Sequence, residues 1–480
     1  MSTYHDSQRP PRGRRRSRRL LAGGLVASGL VVGAAGLSGA AAAYERPPGG
    51  ENAAVARGDS VHDRGGKSRA IPVPCDSAKL IAALVRVNAE GGGVLRLAPR
   101  CTYTLTDAFH QPDQYDGGIR DAREAADSAE NPGEADDKPP RNPADDKAGL
   151  PVIYHPVTIE GEQATIERAH DAEVFRFFTV RDGGELTLRD VRLVGGRSDA
   201  EGGAVHVVHG ASATIERVTA VHNASSSAEG GGGALFNDGN MVVRDSSLID
   251  NHAYGAEGKG GGLLNNGVLT LHSSTFKGNS ATAYGGGLGN YQAAAEVHTS
   301  TFTHNSAGQG GGLASFSART RVSDSKVAGN RAETGGGIAN SDALIFLRGM
   351  EVRDNIATGD GGGISTFQGL VPLDDSVVAG NTAHGSGGGI HATKSNLLVR
   401  TSAVRDNHAV EAESTGGGIA VSMGRVALYR SLVVENQSAL PAGGLNVDKA
   451  QATVDSKTVI AKNHPTNCLG STSPVPNCFR

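Results

Sequence analysis

Apolar residues between positions 231 and 463 return at fixed distances from a recurring asparagine. The asparagines are Asn223, Asn251, Asn279, Asn305, Asn330, Asn355, Asn381, Asn407, Asn436 and Asn463. Eight positions before all but the last stand Ile215, Val243, Leu271, Val297, Val322, Leu347, Leu373, Val399 and Leu428. Two residues earlier come Met241, Leu269, Ala295, Ile345, Val371, Leu397 and Val426, the period of two of a strand with one buried face. Three before the asparagine lie Leu248, Phe276, Phe302, Val327, Val352, Val378, Val404, Val433 and Ile460. A third apolar segment opens after each glycine run, at Leu263, Leu288, Leu313, Ile338, Ile364, Ile390 and Ile419. Three short strands in every 25 to 30 residues, each stacking on its copy about 4.8 Å away, predict an all-β solenoid, a parallel β-helix. A leucine-rich repeat has a compatible period, but its L-x-x-L-x-L frame is absent.

The glycine runs supply the punctuation: Gly260-Gly261-Gly262, Gly285-Gly286-Gly287, Gly310-Gly311-Gly312 and their successors to Gly416-Gly417-Gly418. Tight turns between strands ask for residues at positive φ or without a Cβ. A phosphate cradle would need a helix after the glycines, whereas strands are predicted there. The ladder Asn251, Asn279, Asn305, Asn330, Asn355, Asn381 and Asn407 is expected to be structural, with left-handed backbone and amides bonding from coil to coil. From the closing glycine to the next asparagine the count is constant, 18 residues for Gly233/Asn251, Gly287/Asn305 and Gly312/Asn330. Length varies only after the asparagine, as in Ala224–Gly230, His252–Lys259 and His408–Thr415. Such loops fall on one face of a solenoid, where binding is to be sought.

Paired with apolar-x-x-Asn, as in Phe276-Lys277-Gly278-Asn279 and Phe302-Thr303-His304-Asn305, the Gly-Gly-Gly-[Leu/Ile] motif resembles the repeats of the polymorphic outer membrane protein family. It also resembles secreted bacterial proteins of the pectin-lyase-like β-helix class, over roughly residues 71–480. The resemblance implies right-handed coiling. It says little of function, because the fold hosts lyases, hydrolases and adhesins. No alternating strands of a membrane barrel are found, a departure from the polymorphic outer membrane proteins that favours release over surface anchoring.

The flanking regions refine this picture. Residues 1–43 read as an export signal: an arginine-rich start, an apolar stretch from Leu20 to Leu37, and the small residues Ala40–Ala43. Ser17-Arg18-Arg19-Leu20-Leu21 partly fits a twin-arginine signal. Residues 44–70 read as a linker and 71–106 as an N-terminal cap. The cap holds a helix started by Asp76 or Ser77, with Leu80, Ile81, Leu84, Val85 and Val87 toward the core. Residues 107–149 carry 12 acidic and 5 basic residues, an acidic insert expected to be mobile. The β-helix itself is placed at 150–463 and a closed tail at 464–480. Four cysteines allow three pairings; locality and export favour Cys75–Cys101 with Cys468–Cys478. Metal-ligand spacing is absent.

Net charge of −4 gives no argument for nucleic acid. Asp406 and Glu435, one before their asparagines in consecutive coils, are the weak catalytic candidates. Adjacent coils set them near the ~5–5.5 Å separation of a retaining glycosidase. Tryptophan is absent, and the recurrent positions show no aromatic row that would stack sugars. The expectation is a secreted, monomeric, non-catalytic scaffold that presents one loop face to an extracellular or cell-surface ligand, polysaccharide included, with no cofactor. The alternative is a polysaccharide lyase or glycoside hydrolase, with Ca²⁺ required only in the lyase case.

Overall fold

Coil upon coil, the repeat winds into three stacked parallel sheets of 25, 10 and 11 strands, coiled right-handed. The structure is a computed structural model that describes residues 70–110 and 147–479, within a unit spanning Gly66–Arg480. The export signal and nearly all of the linker and acidic insert lie outside the described residues. At the base of that insert the Phe109 amide donates to the Ala148 carbonyl at 2.7 Å.

One coil shows the plan. Leu313–Phe316 belongs to the 11-stranded sheet, Arg319–Ser323 and Lys326–Ala328 to the 25-stranded sheet, and Arg331–Thr334 to the 10-stranded sheet. The expected three strands are present, but two of them share one sheet. They are separated only by a bend at Asp324, whose φ is 49°. The third sheet comes from the two to four residues after each asparagine, too short and too polar to show a pattern. Its inward residues are alanines (Ala253, Ala332, Ala357, Ala383), all buried. Leucine, isoleucine, valine and a stacked Phe276–Phe302 pair, centroids 4.9 Å apart, fill the rest of the core.

The asparagine ladder forms with a different backbone from that expected. The left-handed residue is the one before each asparagine: Asp250, His304, Asp354, Asp406 and Glu435 have φ between 50° and 59°. The asparagines carry no positive φ and are buried. Each side-chain oxygen accepts from the backbone amide and the Nδ2 of the asparagine one coil before, as at Asn279 Oδ1 with Asn251 (3.0 and 2.9 Å). Each Nδ2 also donates to a carbonyl of the preceding coil.

Glycine register needs one correction. Leu235 pairs with Leu263 and Leu263 with Leu288, so Ala234, not Gly233, matches Gly262 and Gly287. The stretch from the first strand to the asparagine is a residue shorter in these early coils because its turn into the long sheet is tighter; later coils insert a left-handed residue such as Gln292 (φ 52°). Gly261 shows why a side chain is barred: a Cβ there would lie 2.3 Å from the Ser280 carbonyl oxygen.

At the N-terminal end the helix Ser77–Ala89 covers the open core. Asp76 is its cap, accepting from the amides of Ala78 and Lys79 at 2.8 and 3.1 Å. Leu80, Leu84 and Val87 point inward, whereas Val85 is 41% exposed, since the inward stripe runs 80, 84, 87. Both expected disulfides form, Cys75–Cys101 and Cys468–Cys478.

Candidate functional site

A groove along the outer face of the 11-stranded sheet gathers the side chains that have chemistry to offer. Its floor follows from strand alternation. The first residue of each strand points into the core, so the second points out. These second residues are small where the groove is open: Gly289, Ala314, Ala339, Ser365, with His391 beyond them. One wall is the last residue of each variable loop, in the row Tyr284, Gln309, Thr334, Asp360. The opposite wall is the fourth strand residue, in the row Tyr291, Phe316, Ser341, Phe367, Thr393. The variable loops therefore form one edge of the groove.

Aromatic rings mark both stretches of this wall. Tyr291 and Phe316 stack with centroids 5.1 Å apart and planes 10° from parallel, and Tyr284 leans on Phe316 at 5.5 Å. Lys259 Nζ sits 5.2 Å from the Tyr291 centroid, as a cation over a ring face does. Two coils beyond Phe316, Phe367 is 40% exposed, and Lys394 Nζ stands 5.5 Å from its centroid. An aromatic set thus exists where none was expected. It is counted from the glycines, three past the first strand residue, and not from the asparagines.

Between the rings lies a pocket of about 250 Å³ whose lining includes Gln309, Thr334, Ser341, Ser365, Asp360 and His391. Asp360 is held in place: its Oδ1 accepts from the Ser386 amide at 2.7 Å. Its Oδ2 lies 3.8 Å from His391 Nδ1. Burial pushes the His391 imidazole below its ordinary pKa, and Asp360 only partly opposes this. The ring is therefore neutral near pH 7, beside a half-exposed carboxylate. The arrangement offers hydroxyls, an amide, an apolar ring and one negative charge to an extended polar ligand.

Asp406 and Glu435 sit elsewhere. They lie on the left-handed corners between the 25- and 10-stranded sheets, with side chains 44% and 48% exposed. Asp406 pairs with Arg405 at 2.5 Å and Glu435 with Lys462 at 3.4 Å. Register does place them in consecutive coils, since the Asp406 amide donates to the Val434 carbonyl. Neither lines the groove pocket. Among the described residues no group of three or more His, Cys, Asp and Glu is placed to hold a metal ion.

Fold and site together define a parallel β-helix protein with a polar, aromatic-edged groove on one sheet. No known family matches the chain, and no curated protein matches it. Among solved structures, the A-module of Azotobacter vinelandii mannuronan C-5 epimerase AlgE6 is similar at 13% identity and a TM-score of 0.42. The match covers 81% of this chain and 97% of that one.

Proposed function

We propose that this protein is a secreted, non-catalytic binding scaffold that holds an extended glycan along the groove of the 11-stranded sheet. The groove itself carries the reading. It pairs apolar ring surface with hydroxyl and amide partners, the two surfaces that a pyranose presents as its face and its edge. A peptide fits less well: its residues advance about 3.3 Å and alternate sides, out of step with coils about 4.8 Å apart. Export is supported by the arginine-rich start and by two disulfides, which persist in oxidising compartments. Among the described residues no helix is long and apolar enough to cross a membrane. The resemblance to polymorphic outer membrane protein repeats rests on the Gly-Gly-Gly and apolar-x-x-Asn motifs alone. The protein acts as a monomer without a cofactor.

Calorimetric titration of the secreted chain with neutral, amino and uronic oligosaccharides tests this. At least one class binds, and Phe367→Ala weakens it on the order of tenfold, the loss of one stacking surface. Should none bind, or should Phe367→Ala leave affinity unchanged, the groove is not the site.

A further inference from the structure

We infer that the groove selects a glycan carrying a free amine over one carrying carboxylates, and that Asp360 is the residue that does so. This rests on the glycan-site reading above and goes one step past it, to the charge of the ligand. The ten residues lining the pocket include one carboxylate, Asp360, and neither lysine nor arginine. The neighbouring His391 does not offset that charge, because its side chain is only 18% exposed and burial keeps the ring neutral near pH 7. Lys394, the cation over Phe367, stands on the rim and is not part of the lining.

Geometry leaves one oxygen of Asp360 free to act. Oδ1 is committed to the Ser386 amide at 2.7 Å, which fixes the side chain. Oδ2 faces His391 at 3.8 Å, beyond hydrogen-bond length, and keeps acceptor capacity for a ligand donor. An ammonium group there gains a charge-assisted bond. A uronate would bring a second carboxylate to a pocket with no cation in its lining, which costs affinity by like-charge repulsion. The Asp360 side chain is 42% exposed, so solvent screens both effects. Selectivity is therefore modest and salt-sensitive.

The experiment titrates the full secreted chain with three hexasaccharides: glucosamine, its fully N-acetylated form, and galacturonate. The amine form binds roughly fivefold tighter than the acetylated form, and added salt erases that advantage. Asp360→Asn keeps an oxygen for the Ser386 amide, so it retains the fold while losing the preference between the amine and acetylated forms. Equal or weaker binding of the amine form overturns the inference and leaves the groove reading standing. So does an amine preference that survives in Asp360→Asn, and so does tightest binding of galacturonate that Lys394→Gln removes. Binding of none of the three overturns both readings together.

Discussion

Asn330 shows how much one side chain carries in this fold. Its Oδ1 accepts from the Asn305 amide and Nδ2 at 2.9 and 3.0 Å, and its Nδ2 donates to the Phe302 carbonyl and to Asn355 Oδ1, both at 2.9 Å. Asn330→Ala strands buried partners on both sides, each costing about 1–3 kcal/mol. A loss of about 2–4 kcal/mol is expected in denaturant unfolding, and a loss under about 1 would show that the ladder is incidental. The identity and spacing of these asparagines were legible because the repeat is strict. Two further ladders were not: Ser246, Ser274 and Ser300 accept amides from the coil before, and Asn237, Asn265 and Asn290 bond in series. Serine and asparagine serve equally in turns, so their types alone do not show burial. His391 gives a pH signature. Its folded pKa lies below the unfolded value of about 6.5, so the unfolded chain binds more protons as pH falls. Its contribution to stability is complete above about pH 6.5 and declines below it. Between pH 7.5 and 5 the melting temperature of His391→Gln therefore falls less than that of the wild type; an equal fall would contradict the burial.

At the scale of elements, the helix Ser77–Ala89 and the Cys75–Cys101 bridge secure the same end of the solenoid. Replacing both cysteines by serine releases a closed loop with 26 residues of separation and should cost about 2–4 kcal/mol. Secreted protein should contain no free thiol; titration of one would contradict the pairing. Leu347 is 1% exposed within the 25-stranded sheet, so Leu347→Ala should cost about 2–5 kcal/mol. Thr358→Ala, at an exposed loop position, should cost under about 0.5. Equal unfolding midpoints would mean that the inward register is wrong. That register was readable because apolar alternation over five residues has only one core-facing solution. The groove was harder to read. Its floor is made of glycine, alanine and serine, whose small size becomes informative only when walls rise on both sides. After Tyr291 and Phe316 the row is interrupted by Ser341 before Phe367, so the aromatics do not form an unbroken ladder along the chain.

For the molecule as a whole, the distribution of charge predicts that no polysaccharide backbone is cut. A lyase must stabilise negative charge beside a uronate carboxylate, with a cation or an arginine cluster in the cleft. The groove pocket is lined by neither lysine nor arginine. A hydrolase needs two carboxyl groups at a set separation with their pKa values driven apart. The pocket holds Asp360 as its single carboxylate. Asp406 and Glu435 do stand in consecutive coils, yet each is nearly half exposed and each faces its own cation, Arg405 and Lys462. Both stand open to water on a corner outside the groove pocket, so neither is placed in a cleft as the proton donor that cleavage requires. Purified protein with pectate, alginate, chondroitin or chitosan should yield no unsaturated product absorbance and no new reducing ends over days. Cleavage of any of these that is abolished by Asp406→Asn or Glu435→Gln would move the working site to that corner. Cleavage abolished instead by Asp360→Asn would make the groove a catalytic cleft, with Asp360 and His391 as its acid–base pair.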